Sequence, residues 1–272
     1  MIAVRREKIR SYVEQNVVII WELQERYPDT FPKTAASRPS SRVELSEVSE
    51  SVQIKRVSNA GVLVALDGVL LLLDGVCQGY SFYLTQPPEL LAELERHPPD
   101  LLAYTHSHPD HFEPGFATRF YKKTRRPVLG TAGVAELLPG VPVERGRVTM
   151  NGVRVTPVPS CHLGANLAQY PHVSYLIEGS KRIFVVGDAA PLCWKEGISS
   201  LRPDVLVAPY PYITTAVGRQ TVLRFAPQSV MLVHMPAKDR DPDGIWPMTE
   251  RALKEFKEIT VQIPELGESV IL

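Results

Sequence analysis

Cysteine is scarce in this sequence: Cys77, Cys161 and Cys193 are the three in 272 residues, far apart and without a Cys-x-x-Cys spacing. That excludes a disulfide framework or a zinc ribbon, fits a reducing compartment, and leaves each cysteine expected as a small buried apolar side chain. Net charge is missing too, because 30 Lys+Arg balance 30 Asp+Glu. Without a global positive field to neutralise a phosphate backbone, nucleic acid is not an expected partner. No apolar run suffices for a membrane span. The longest, Gly61 to Val76 (GVLVALDGVLLLLDGV), is interrupted by Asp67 and Asp74 and falls short of the ~20 residues a spanning helix requires. It reads as two strands joined by an Asp67-Gly68 turn. The opening MIAVRREKIR is charged where a secretion signal needs an apolar stretch, so a cytoplasmic location is expected and a membrane is not.

What is present is 44% hydrophobic residues, enough for a sizeable core in a chain of this length. From Arg5 to Tyr27 apolar side chains recur at Ile9, Val13, Val17, Ile20, Leu23 and Tyr27, the three-and-four spacing of one helical face. The segment PDTFPKTAASRPSSR follows, where Pro28, Pro32 and Pro39 break both regular periods. Residues 1–42 are therefore expected to form a helical appendage with a connector, and residues 43–272 one domain. An exposed apolar stripe is an aggregation liability, and burial is worth roughly 1.5 to 3 kcal/mol per such side chain, so the helix is expected to dock across a homo-oligomer interface.

Beyond Val43 the pattern predicts strands and helices in alternation. Strands are expected at Val52 to Val57, in the hairpin Val62 to Leu73, at Asp100 to Tyr104, near Val128, from Val143 to Met150 and from Val153 to Pro157. The hairpin Val173 to Ile177 and Arg182 to Val186 follows, then strands at Val205 to Ala208, Val230 to Val233 and Thr260 to Ile263. Helices are expected at Pro88 to Arg96, Pro114 to Lys123, Ala132 to Leu138, Arg219 to Phe225 and Met248 to Phe256. This is the texture of a layered α/β domain.

The chemistry concentrates in LLAYTHSHPDHFE, Leu101 to Glu113, where His106, His108, Asp110 and His111 fall within six residues directly after a strand. In an extended segment alternate side chains share a face, so His106 and His108 can address one ion while the turn at Pro109 redirects Asp110 and His111 to a neighbouring one. A catalytic zinc-type site needs about three protein ligands and an open position, so the loop alone cannot complete two sites. The sequence offers His162 in PVPSCHLG, Asp188 at the end of the apolar run RIFVVGDAA, and His234 in VMLVHMPA. A carboxylate can bridge two cations, which makes Asp188 the natural shared ligand. His97 and His172, each beside a proline, are expected as ordinary hydrogen-bonded residues.

This constellation resembles the metallo-β-lactamase-fold hydrolase superfamily. Its His-x-His-x-Asp-His loop stands at His106-Ser107-His108-Pro109-Asp110-His111, its third-motif histidine at His162, its bridging aspartate at Asp188 and its last histidine at His234. The likeness runs from about Val52 to Leu272. It implies a four-layer αββα sandwich and two divalent ions, zinc first with manganese or iron as alternatives. One ion would sit on His106, His108 and His162, the other on Asp110, His111 and His234, with Asp188 touching both. Asp110 and Asp188 would then serve catalysis, and a water held as hydroxide would cleave an ester, a lactone or a phosphorylated small molecule. Asp74 corresponds to the family's early strand-end aspartate, which orients a ligand histidine; an ordinary turn carboxylate is the alternative. The turn Ser-Cys-His-Leu-Gly, the GDAA strand end and the acidic loop with Asp239, Asp241 and Asp243 look most like the ascorbate-6-phosphate-lactonase-like branch. A phosphodiesterase or nuclease of the same fold is the alternative, supported by Arg119, Lys122, Lys123, Arg125 and Arg126, which at helical spacing also read as a solvated face or a holder of substrate phosphate. A redox di-iron protein is disfavoured because such relatives carry glutamate where His108 stands, and a metal-stabilised binding module without turnover is the reading from another class.

Overall fold

The computed structural model describes residues 52–80, 82–164, 166–194 and 201–272. The expected helix and connector of residues 1–42 lie outside them. Among the described residues no helix is long and apolar enough to cross a membrane.

Two seven-stranded sheets face each other. The first is built from β1 (Gln53–Arg56), β2 (Val62–Leu66), β3 (Val69–Leu73), β4 (Leu101–Ala103), β5 (Val128–Leu129), β6 (Val143–Glu144) and β14 (Ser269–Ile271), in the order β14-β1-β2-β3-β4-β5-β6. The second holds β7 (Val148–Met150), β8 (Val153–Cys161), β9 (Pro171–Glu178), β10 (Arg182–Val185), β11 (Val205–Pro209), β12 (Ser229–Val233) and β13 (Thr260–Gln262), in the order β13-β12-β11-β10-β9-β8-β7. Each sheet is antiparallel through its hairpins and parallel beyond them: β3 to β6 in the first, β10 to β13 in the second.

Strict alternation within these strands makes the layers. On β2 and β3, Val62, Val64, Leu66, Val69, Leu71 and Leu73 turn inward to meet Ile183 and Val185 of β10, Val205 and Val207 of β11 and Met231 and Val233 of β12. The intervening Leu63, Leu70 and Leu72 face outward onto Leu90 and Leu94 of α1 (Pro88–Arg96), Phe116 and Phe120 of α2 (Pro114–Thr124) and Val134 of α3 (Ala132–Glu136). Behind the second sheet, Phe184, Leu206, Val230 and Leu232 pack on α4 (Pro211–Thr214), α5 (Ala216–Phe225) and α6 (Ile245–Glu255) through Tyr212, Ile213, Val222, Phe225 and Ala252. The result is the expected αββα sandwich. Because both faces of the central strands are covered, they read in sequence as unbroken apolar runs.

Three expectations need correction. The single strand expected over Val143 to Met150 is two, β6 and β7, which end in opposite sheets because Arg145-Gly146-Arg147 carries the chain across the sandwich. The C-terminal strand β14 was not anticipated; it pairs antiparallel with β1. Only Cys77 is fully buried, whereas Cys161 and Cys193 are half-buried, and none of the three is in a disulfide.

Candidate metal centre

Four strands that run in one direction within their sheets deliver the site from their C-terminal ends, the rim where open α/β sheets collect ligands. The loop after β4 carries Thr105 to His111, β8 ends at His162, β10 leads through Gly187 to Asp188, and β12 leads to His234. All seven expected ligands converge, in two groups whose donor atoms lie within 4.8 Å of one another: His106, His108 and His162, and Asp110, His111, Asp188 and His234.

In the first group His108 Nδ1 stands 3.0 Å from His106 Nε2 and 3.1 Å from His162 Nε2. Hydrogen-bond direction settles which nitrogens are bare. Thr105 donates its hydroxyl hydrogen to Asp74 Oδ2 at 2.6 Å, so its oxygen must accept from His106 Nδ1 at 3.0 Å, and His106 Nε2 is left unprotonated. His162 donates Nδ1–H to the Leu163 carbonyl at 2.6 Å, which bares its Nε2 too. Burial pushes the pKa values of His106 and His108 down, reinforced by neighbouring histidines. Three imidazoles are thus aimed at one point.

The second group holds charge. His111 donates Nδ1–H to Asp74 Oδ2 at 2.9 Å, and its Nε2, fully buried, has no hydrogen-bond partner among the described residues. That atom looks instead at Asp188 Oδ1, 3.3 Å away, and Asp110 Oδ2, 3.7 Å away. His234 Nε2 lies 3.1 Å from Asp110 Oδ2 and 3.4 Å from Asp188 Oδ1. Burial is the largest single effect and works against charge on both histidines, but Asp188 together with Asp74 at His111, and with Asp110 at His234, outweighs it. His111 rises well above its ordinary value, and His234 rises to about 9. Asp188 is likewise penalised by burial, yet His234 and His111 hold it well below the usual carboxylate range. Protons thus occupy positions that a cation would take, and the donor set, imidazole and carboxylate, suits a divalent ion.

Asp188 turns Oδ1 to the second group and Oδ2 to His162 Nε2 at 3.6 Å. Its position depends on Gly187, whose φ is +56° and whose absent Cβ would stand 2.7 Å from Thr105 Oγ1. Asp74 is more than a turn carboxylate: fully buried at φ 48°, it binds the Thr105 backbone N–H at 2.8 Å, the Thr105 hydroxyl and His111, so one side chain braces both groups. His234 also sits at a left-handed φ of 62°, secured by its N–H donating to the Asn59 carbonyl.

Sequence reasoning overlooked several neighbours. Asn59, buried, donates Nδ2–H to Asp110 Oδ2 at 3.1 Å. Arg56, also buried, ties the Ser58, Asn59, Met235 and Pro264 carbonyls together. Tyr83 sets its ring edge against His234 with centroids 4.3 Å apart. Tyr170 covers His108 at 4.1 Å and hydrogen-bonds Ser107. Asp188 acts electrostatically on both Tyr83 and Tyr210. No periodicity marks these residues, since each reaches the site from a remote segment. His97 caps the C-terminus of α1 as an ordinary residue, but His172 is buried against His106 and His162.

Three of the five basic residues of α2 and the turn after it are engaged locally. Arg119 pairs with Glu95 at 2.8 Å and Glu113 at 3.9 Å, Lys123 donates to the Glu95 and Arg96 carbonyls, and Arg126 donates to the Pro99 carbonyl and pairs with Asp100. In the acidic loop Asp241 accepts from the Ile245 and Trp246 N–H groups at the start of α6.

No protein-family model matches the chain, and no curated protein matches it. Solved structures do. Igni18, a metallo hydrolase from the archaeon Ignicoccus hospitalis, is 16% identical with a TM-score of 0.57, covering 82% of this chain and 98% of that one. The isothiocyanate hydrolase from Delia radicum gut bacteria is 15% identical with a TM-score of 0.58, over 80% and 98% of the two chains. The metallo-β-lactamase fold protein YhfI from Bacillus subtilis is 13% identical with a TM-score of 0.55, over 81% and 99%. This chain has the metallo-β-lactamase fold.

Proposed function

We propose that the protein is a metal-dependent hydrolase with a dinuclear centre, and that its substrate is an uncharged ester or lactone. The observation that carries the reading is Asp188, which presents one carboxylate oxygen to each of two converging ligand groups. Zinc is the first choice for a set of five histidines, one carboxylate and a shared carboxylate of this kind, with manganese or iron as alternatives. Divalent ions held there supply Lewis acidity, which acidifies a water and polarises the bond to be broken.

The chain's own residues do the rest. His106, His108 and His162 hold one side, and Asp110, His111 and His234 the other. Asp110, steadied by the Asn59 amide, is placed to take the proton the attacking water gives up. Tyr170 over His108 and Tyr83 against His234 wall the two groups with aromatic rings. Such walls suit an apolar acyl or lactone ring. A phosphorylated substrate or a nucleic acid fits less well, because three of the five cations of the basic cluster, Arg119, Lys123 and Arg126, are bound to Glu95, Glu113, Asp100 and backbone carbonyls.

The test is metal analysis of the purified chain, with turnover of lactone, aryl ester, thioester, β-lactam and phosphodiester probes before and after chelation. Two ions per chain with chelator-sensitive ester or lactone cleavage are expected. A metal-loaded chain inert towards every probe would favour the binding-module reading, and phosphodiester preference would restore the nuclease. The domain division enters the same proposal: a chain lacking residues 1–42 keeps its metal and activity but loses its oligomeric state in light scattering.

A further inference from the structure

His172 is a buried histidine in van der Waals range of the ligand cluster that none of the ligand groups uses. Its ring centroid lies 5.0 Å from that of His106 and 5.6 Å from that of His162. A fourth imidazole beside three convergent ones invites assignment as a further ligand. Its hydrogen bonds argue otherwise.

The Asp188 backbone N–H donates to His172 Nε2 at 3.0 Å. A backbone N–H can only donate, so Nε2 carries no hydrogen and its one lone pair is engaged. The neutral ring therefore has its hydrogen on Nδ1, which lies 2.7 Å from Ser160 Oγ and donates to it. Ser174 spends its hydroxyl hydrogen on the Val186 carbonyl at 2.8 Å. Ser160, 3.1 Å from Ser174 Oγ, is then the donor of that pair. Every hydrogen is assigned, and the chain has one direction: Asp188 N–H to His172, His172 to Ser160, Ser160 to Ser174, Ser174 to the Val186 carbonyl.

The two ends of this chain are the two ends of one tight turn, Val186-Gly187-Asp188. Side chains from β8 and β9 thus close a clasp around the turn that projects the shared carboxylate. On the other side, the Asp188 carbonyl accepts from Leu163 N–H at 2.7 Å, and the Leu163 carbonyl accepts from His162 Nδ1. The backbone of Asp188 is gripped from both directions.

We infer that His172 is a positioning residue, not a metal ligand: through the Asp188 N–H and the Ser160–Ser174–Val186 hydrogen bonds it fixes the turn that aims Asp188 at both ligand groups. The inference rests on Asp188 being a ligand, as proposed above, but the clasp itself is a property of the metal-free chain. An isolated structural histidine would need neither the tautomer nor the direction. Loss of partners that orient a ligand typically lowers metal affinity 10- to 100-fold.

Nitrogen NMR of the metal-free protein with labelled histidine, His172 being assigned by difference from His172→Gln, reads the tautomer directly. The Nδ1–H form is expected; an Nε2–H form overturns the inference. On titration with zinc the His106 and His162 Nε2 signals are expected to move and that of His172 to stay, whereas a coordination shift at His172 Nε2 would make it a ligand. For zinc affinity, His172→Phe keeps a flat ring and loses the bonds, so about a 10- to 100-fold loss is expected. His172→Gln, which retains an acceptor for the Asp188 N–H, is expected to recover most of it. Equal affinity in His172→Phe and the wild type also overturns the inference. If the wild-type chain binds no zinc, the proposed function fails, and the tautomer still decides the clasp.

Discussion

The two ligand groups both draw on histidine, but only the second adds carboxylates, and the two differ in electrostatic state accordingly. His106 and His162 commit their Nδ1 hydrogens to Thr105 and to the Leu163 carbonyl and turn bare Nε2 atoms towards His108 Nδ1, about 3 Å away, and burial pushes His106 and His108 down. Asp110, His111, Asp188 and His234 form a buried cluster in which carboxylates raise the histidines and histidines depress the carboxylates. The first group already presents two Nε2 lone pairs to a cation. The second must release protons to accept a cation, so its affinity is tied to pH.

The widest test of this comparison removes what the groups share. Asp188→Ala is expected to lower zinc affinity at both groups by at least about 100-fold and to abolish turnover; loss at the second group alone, in zinc content after dialysis, would make Asp188 an ordinary ligand. His108→Ala and His234→Ala then separate the halves, each taking the stoichiometry from two towards one. His108→Ala is expected to abolish hydrolysis with the fold intact by circular dichroism.

Acidity distinguishes the groups without mutation. His234 at about 9 in the metal-free chain must lose a proton to bind, so second-group zinc affinity should rise with pH up to about 9, by about tenfold per unit for one proton. First-group affinity should depend less on pH, because burial pushes His106 and His108 down, and calorimetry in buffers of different ionisation enthalpy reads the proton release. Stability of the metal-free chain has the complementary sign. A raised histidine stabilises fully below its unfolded value near 6.5 and loses that contribution as pH climbs towards 9; depressed Asp110 and Asp188 stabilise above 3.8 and lose it in acid. Histidines that burial pushes down, His106, His108 and His172, have the opposite sign and cost stability as pH falls below about 6.5. Denaturant midpoints should therefore be highest at about pH 6.5, and a midpoint that keeps rising to about pH 9 would contradict the charged cluster.

Gly187→Ala should cost about 1–3 kcal/mol in denaturant unfolding, from a left-handed residue and a Cβ pressed on Thr105, and should weaken both groups together. The smallest effect is expected outside the site: Arg119→Ala, removing a half-exposed pair with Glu95, should change stability by about 0.2–1 kcal/mol and leave KM for charged and neutral esters equally unaltered. A selective rise for phosphorylated substrates would return the basic helix to the substrate.

Local pattern carried much of this molecule. The runs VLVAL, VLLLL and SVMLV announce strands covered on both faces, and α1 was legible to the residue because Pro88 opens it and its apolar spacing ends before Pro98. Most of the ligand types were legible because each follows such a run at a strand end, as the histidine loop, Asp188 and His234 do; His162 follows the mixed strand VRVTPVPSC instead. Periodicity could not show that Arg145-Gly146-Arg147 crosses between sheets, or that β14 returns to β1, since those choices depend on which edge lies free after everything else has packed.

By itself, then, the sequence determined the strands, their two-faced burial and the seven side chains competent to hold metal, because these follow from the chemistry of a residue and its near neighbours. Only the tertiary structure decided which nitrogen each histidine bares, which oxygen Asp188 turns to each group, and that Asn59, Asp74, Thr105 and His172 hold the ligands in place. Those are matters of angle and hydrogen-bond direction between segments as far apart as Asp110 and His234. They are settled only when two sheets close on one core and bring their strand ends to the same rim.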